Sequence, residues 1–268
     1  MPHAIITGGS SGIGLAVAHI YAARGYDLSL LARTEAALEA ARAELMQIPG
    51  ARAVEIASVD VSDGAATSAA VQHCEAVLGP CSILVTSAGI VDPGPFETLS
   101  PALFERQMAV NFFGSANAVR AVYAGMKQRG AGKIMLISSG AALIGIHDYA
   151  AYCASKSALY GFAEALRSEA RVNGITVSIC FPPDTETPQF ARELGQRSPE
   201  AGIIMGRVAP WPVEEVATRI VQAVDRGRFE LFFGLTLHAL GRFGSTVKPF
   251  LAWYFDRAIR RLHGNRRT

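Results

Sequence analysis

The chain has 268 residues, 50% apolar and 18% charged, a balance that supports one large core and excludes an extended disordered chain. Its four cysteines form no CxxC pair and stand near no histidine cluster, so neither a metal site nor a disulfide frame is expected. A net charge of +2 gives no reason to expect a nucleic-acid partner.

The opening "MPHAIITGG" enters a strand at once and leaves no room for a leader peptide, so a cytoplasmic location is expected. That strand, "HAIIT", runs into "TGGSSGIG" at 7–14. Gly8, Gly12 and Gly14 allow a tight turn and close approach to a pyrophosphate, with Ser10, Ser11 and Ile13 in the same turn and a helix beginning near Gly12. A glycine cluster alone is a weak sign, but between a first strand and a first helix it points to a dinucleotide. The second strand, "DLSLLA", ends at Ala32 and Arg33 with no acid to hold a ribose hydroxyl. Arg33 suits a 2′-phosphate instead, so NADPH/NADP+ is the expected cofactor, the alternative being a solvated surface arginine. After "AVEIAS" come Asp60 and Val61, placed to meet the adenine, while Asp63 is the better cap for the next helix.

"SILVTS" is the fourth strand and is followed by Ala88 and Gly89. A helical pattern from Pro101 carries Asn111 in "MAVNFFGS", and "KIMLIS" brings Ser139 to the end of the fifth strand. Thirteen positions on, Tyr152 stands four residues before Lys156 near the start of a helix that begins near Tyr149, so the two share a face. Reducing a ketone needs a proton donor, and an ammonium beside a tyrosine is expected to lower the phenol pKa toward the working range. Tyr152 then acts as acid, Lys156 tunes it and holds ribose hydroxyls, Ser139 binds the carbonyl oxygen, and Asn111 holds a water that returns protons to the lysine. Each piece alone also has an ordinary structural use. Their conjunction behind a glycine loop argues for catalysis.

The sixth strand, "ITVSIC", leads into "CFPPDTETPQF" at 180–190. Residues 188–210 read as a lid, with Ile203, Ile204 and Met205 placed to line an acyl groove. A helix from near Pro212 and the strand "FELFFG" complete the set. Apolar strands alternating with helices imply an α/β fold, a Rossmann-like doubly wound parallel sheet of about seven strands. One domain spans 1–234, and an extension spans 235–268.

In that extension the uncharged run at 231–241 is too short to span a bilayer. From residue 240 onward, Arg242, Lys248, Arg257, Arg260, Arg261, Arg266 and Arg267 oppose one acid, Asp256, and alternate with aromatics. The composition suits one or two amphipathic helices broken near Pro249, resting either on an anionic membrane surface or on a second subunit. The helices holding Asn111 and Tyr152 look apolar on more than one side, as in a homo-oligomer, dimer or tetramer.

"TGGSSGIG", Asp60, Asn111, Ser139 and "YCASK" together resemble the short-chain dehydrogenase/reductase family over nearly the whole chain. The resemblance implies the catalytic and cofactor roles above and places Pro182, Thr185 and Thr187 beside the nicotinamide. Two departures stand out: "TSAG" at 86–89 where the family has Asn-Asn-Ala-Gly, and Pro182-Pro183 where it has Pro-Gly. Within the family, "PPDTETP", "SLLARTEAAL" and "FERQMAVNFFGS" resemble the 3-ketodihydrosphingosine reductases. That implies NADPH-dependent reduction of a long-chain lipophilic ketone, with Asp184 and Glu186 placed to meet its ammonium. The alternatives are another lipophilic ketone, such as a 3-oxoacyl thioester or a steroid, or a non-catalytic NADP(H)-sensing adaptor at a membrane.

Overall fold

Seven aliphatic runs pair side by side, all parallel, in a computed structural model that describes residues 1–206 and 209–264. In chain order the elements are β1 (His3–Thr7), α1 (Gly12–Ala23), β2 (Asp27–Ala32), α2 (Glu35–Leu45), β3 (Val54–Ser58), α3 (Gly64–Leu78) and β4 (Cys81–Thr86). Then come α4 (Pro101–Met108), a π-helical turn (Ala109–Phe113), α5 (Gly114–Arg129), β5 (Gly132–Ile137), a short 3₁₀ turn (Gly140–Ala142), α6 (Ala150–Arg171) and β6 (Ile175–Phe181). The chain ends with α7 (Pro188–Leu194), α8 (Pro199–Met205), α9 (Val213–Asp225), β7 (Glu230–Phe232) and α10 (Gly234–Gly264). Part of the expected lid (207–208) and part of the tail (265–268, with Arg266 and Arg267) lie outside the described residues.

The sheet order is β3-β2-β1-β4-β5-β6-β7, so the winding reverses between β1 and β4. That reversal opens a crevice at the carboxyl ends of the two strands, the natural ligand position in a doubly wound sheet. The strands read as unbroken apolar runs because both faces are covered. Alternate residues of β1 go to opposite sides: Ala4 and Ile6 pack with Val17, Tyr21, Val216 and Ile220, while Ile5 packs with Val71, Leu84, Val119 and Leu159. Side-chain caps mark the helix starts, with Asp63 accepting from Ala66 N for α3 and Ser100 accepting from Leu103 N for α4.

The C-terminal helix corrects one expectation. Its break lies at Phe243, where φ is −125° and ψ is 20°, not near Pro249. Packing sets this position: an added Cβ at Gly241 would lie 2.2 Å from the Phe232 ring, so the first half of α10 is pressed onto β7. Beyond the kink, Val247, Leu251, Phe255, Ile259 and Leu262 form a half-buried stripe at helical spacing. Phe250, Trp253 and Tyr254 are exposed on the remaining surface. Among the described residues no helix is long and apolar enough to cross a membrane.

Candidate active site

A cavity of about 1070 Å³ occupies the crevice. Its inner wall is backbone. Gly8 adopts φ +68°, where an added Cβ would meet Ala88 N at 2.7 Å, and a Cβ on Gly14 would lie 2.4 Å from the Gly8 carbonyl. Gly14 therefore acts from beneath the loop, while Gly8, Ser10, Ser11 and Ile13 line the cavity itself. Gly12 faces Thr187 across the opening. Ser11 is the N-cap of α1, yet its hydroxyl makes no capping bond.

β4 is fastened to this loop by Thr7, a residue sequence reasoning passed over. The Thr7 carbonyl accepts from Ser87 N at 3.1 Å, and its buried hydroxyl accepts from Ala88 N at 3.2 Å. Hence "TSAG" still holds Ala88 and, after it, Gly89 on the wall through the backbone of Ser87 and Ala88, although among the described residues no hydrogen bond satisfies the buried Thr86 hydroxyl.

Arg33, Asp60 and Val61 line the far end. Asp60 accepts from Ser62 N at 2.9 Å and Ser62 Oγ at 2.7 Å, so it holds its own turn rather than capping α3. Burial works against its ionisation, but the Ser62 bonds and the Arg33 and Arg106 charges outweigh it and hold the carboxyl below its ordinary range. A dinucleotide fits this set: a glycine turn in contact with its wall, a helix N-terminus, and an arginine beside an ionised acid at the adenosine end.

At the other end Ser139, Tyr152 and Lys156 converge. Ser138 N donates to Cys180 O and Gly140 N to Pro182 O, so the end of β5 that carries Ser139 is clamped to the loop after β6. Pro182 and Pro183 lie in this clamped loop. They make a stiff continuation of β6, pinned further by a bridge between Thr185 and Trp211, with Trp211 N donating to Asp184 O and Glu186 N to Trp211 O. Pro182, Thr185 and Thr187 all line the cavity, and Thr187 caps α7 by accepting from Phe190 N.

Lys156 is 5% exposed, with Nζ donating to Ile137 O at 3.1 Å and lying 5.7 Å from the centre of the Tyr152 ring. Burial pulls its pKa down to about 8. The expectation for Tyr152 reverses. Burial raises its pKa, the hydrogen bond with Ser139 offsets this only in part, and the nearby Glu193 and Asp184 carboxylates add to the rise. Lys156 is aimed at a backbone carbonyl and does not overcome desolvation. Tyr152 is thus held in its protonated form, as a proton donor to a substrate oxygen requires.

Asn111 lies in the π-helical turn, off the cavity wall. Its Nδ2 donates to Ile90 O and Ser155 Oγ, both at 2.9 Å, and its Oδ1 accepts from Ile90 N at 2.8 Å. Gly89 is the link to the lysine, since an added Cβ there would meet Asn111 Oδ1 at 3.2 Å and Lys156 Nζ at 3.5 Å. Gln107 does similar bracing one turn earlier, exchanging two hydrogen bonds with the Asp92 backbone.

On the substrate side two expectations change. Asp184 is held by Arg197 in a two-point ion pair at 2.7 and 3.0 Å, and Glu186 is exposed off the cavity wall. Of the anticipated acyl-groove residues, Ile204 and Met205 line the cavity and Ile203 does not. Leu235, Leu237 and Leu240 of α10 also line it. No local pattern marked them, because only tertiary packing brings α10 to this opening.

A model described as "short chain dehydrogenase" matches residues 2–198. The chain is 38% identical over 235 residues to "3-ketodihydrosphingosine reductase" of Bos taurus, covering 87% of this chain and 71% of the relative. It is 39% identical over 244 residues to "3-dehydrosphinganine reductase TSC10B" of Arabidopsis thaliana, covering 89% and 70%. Among solved structures, a short-chain dehydrogenase from Streptomyces avermitilis matches with TM-score 0.79 and 26% identity over 97% of this chain and 98% of that one. With the parallel sheet, the glycine turn and the Ser139–Tyr152–Lys156 convergence, these likenesses establish that the chain belongs to the short-chain dehydrogenase family, as an oxidoreductase using a nicotinamide cofactor.

Proposed function

We propose that the enzyme reduces 3-ketosphinganine to sphinganine at the expense of NADPH. One observation carries the reading: a single cavity runs from the glycine turn past Tyr152 to an apolar arm of Ile204, Met205, Leu237 and Leu240, joining a cofactor site to room for a long chain. The two relatives above bear the names of reductases of that ketone. NADPH is favoured by Arg33 directly after β2, whose end carries no acid to take the ribose hydroxyls.

When bound, a nicotinamide cofactor would supply the hydride for the ketone carbon. Ser139 donates a hydrogen bond to the carbonyl oxygen and orients it. Tyr152 transfers its phenolic proton to that oxygen as negative charge develops there. Lys156, as its ammonium, stabilises the tyrosinate left behind and holds the ribose hydroxyls. Asn111 keeps Gly89 and the α6 backbone in register with the lysine. The exposed aromatics and bases of α10 support a resting place on an anionic membrane surface, which would give access to a bilayer-dissolved ketone. The exposed Phe113 at the start of α5 supports pairing with a second copy.

The test is oxidation of NADPH by purified protein with 3-ketosphinganine in mixed micelles. Turnover is expected with this ketone, faster with NADPH than NADH, and Tyr152→Phe is expected to lower it about a hundred- to ten-thousand-fold. An inert 3-ketosphinganine beside an active 3-oxoacyl thioester or steroid ketone would refute the substrate while leaving the catalytic residues in place.

A further inference from the structure

The wall beside Tyr152 carries a group of charges that the reaction as described does not use. Arg197 spends its fork on Asp184 and shares Nη2 with Glu193 Oε1 at 2.9 Å. Tyr149 OH donates to the same Oε1 at 2.8 Å. Two carboxylates therefore meet one guanidinium, and both bonds to Glu193 fall on one of its oxygens. Burial and the Glu193 charge hold the Tyr149 hydroxyl above its ordinary pKa, so it donates as a neutral group and brings no positive charge. Arg192 also borders the cavity but is exposed and pairs with neither carboxylate among the described residues. The Glu193 side chain is only 12% exposed, and a surplus charge so far from water is costly until a cation meets it. The Arg197 side chain is itself 10% exposed, and its Nε–H is buried without an acceptor among the described residues.

We propose that Glu193 is a specificity-determining residue that receives the ammonium group of an amino ketone whose carbonyl lies at Ser139 and Tyr152. This rests on the amino-ketone reading above. In 3-ketosphinganine the ammonium is on the carbon next to the carbonyl and a hydroxyl is on the carbon after that, so a group that reads the ammonium must lie close to Tyr152. Glu193 meets this condition: it lines the same cavity, and its charge is felt at the Tyr152 hydroxyl. Asp184 is felt there too, but its two oxygens are occupied by Arg197.

The test compares 3-ketosphinganine with 1-hydroxyoctadecan-3-one, the same chain without the amino group. Wild type is expected to favour the amino ketone by about tenfold or more in kcat/KM, the scale of one charge-assisted hydrogen bond. Glu193→Gln keeps an oxygen for Tyr149 and Arg197; it is expected to lose that preference through KM, with the neutral ketone changed by no more than about twofold. Glu186→Gln, an exposed acid, is expected to alter neither. An equal fall on both ketones, or an unchanged preference, would overturn the proposal. As a check that needs no variant, dodecylammonium is expected to inhibit wild type about tenfold more strongly than dodecanol, and equal inhibition would also overturn it. If wild type reduces the neutral ketone and not the amino ketone, the substrate reading itself fails, a result distinct from a Glu193→Gln variant that discriminates as wild type does.

Discussion

On one side of the Tyr152 hydroxyl the cavity wall is backbone, and on the other it is made of side chains. The cofactor side is formed by strand ends and their turns, with Gly8 against Ala88, Ser87 and Ala88 bonded to Thr7, and Gly140 bonded to Pro182. The substrate side is formed by α7, α8 and the start of α10, with α7 held to Tyr149 and to the loop after β6 through Glu193 and Arg197. The family model ends at residue 198, within the loop between α7 and α8, so it includes α7 and stops before α8 and α10. Backbone clamps hold a shared cofactor in every member of a family. Side-chain clasps can be exchanged for each new substrate without disturbing the sheet.

The sharpest way to break this contrast is through Lys156. Its folded-state pKa of about 8 lies below the ordinary 10.5, so folding resists charging it. That cost is fully present below pH 8 and disappears as the pH rises to 10.5, because over that interval only the unfolded chain holds the proton. Relative to Lys156→Met, wild type should therefore gain roughly 3 kcal/mol of unfolding free energy across this window, read by denaturant melts at both ends. Catalysis should fall over the same rise, as the ammonium is lost. A flat difference between the two proteins would mean that the lysine is not desolvated as the backbone wall implies.

A smaller effect is expected at the glycine turn. Gly14→Ala places a Cβ 2.4 Å from the Gly8 carbonyl, against backbone that has no room to retreat. Overpacking of this kind costs about 1–3 kcal/mol, a melting shift of about 2–4 °C for each kcal/mol in a chain of this size, with weaker NADPH binding. Wild-type melting and affinity would show that this wall is as adaptable as the other.

The smallest change is expected on α10. Trp253→Ser removes an exposed ring, so stability should stay within about 0.5 kcal/mol while co-sedimentation with anionic vesicles weakens. Unchanged vesicle binding would assign the aromatic surface to another partner.

Strands, most helix starts and the pairing of Tyr152 with Lys156 on one helix face were legible because each rests on a local rule. Apolar runs of β1, β2 and β4 to β6 had to be buried on both faces, Asp63 had to cap what followed, and Tyr152 and Lys156 had to share a face four residues apart. Expectations failed where a distant group decided the outcome. Asp184 was drawn away by Arg197, thirteen residues on and in another element. Desolvation raised the Tyr152 pKa against the pull expected from its neighbour, and the α10 kink formed where Gly241 meets Phe232 rather than at the proline.

By itself, then, the sequence determined a parallel doubly wound sheet, a glycine turn behind its first strand, and a Ser–Tyr–Lys grouping on the crossover from its fifth to its sixth strand, because hydrogen-bond geometry and hydrophobic period act over a few residues. Only the tertiary structure decided which carboxylate keeps surplus charge, which helix closes the apolar arm, and which way the phenol shifts. Those depend on burial and on through-space charge, and neither is a function of separation along the chain.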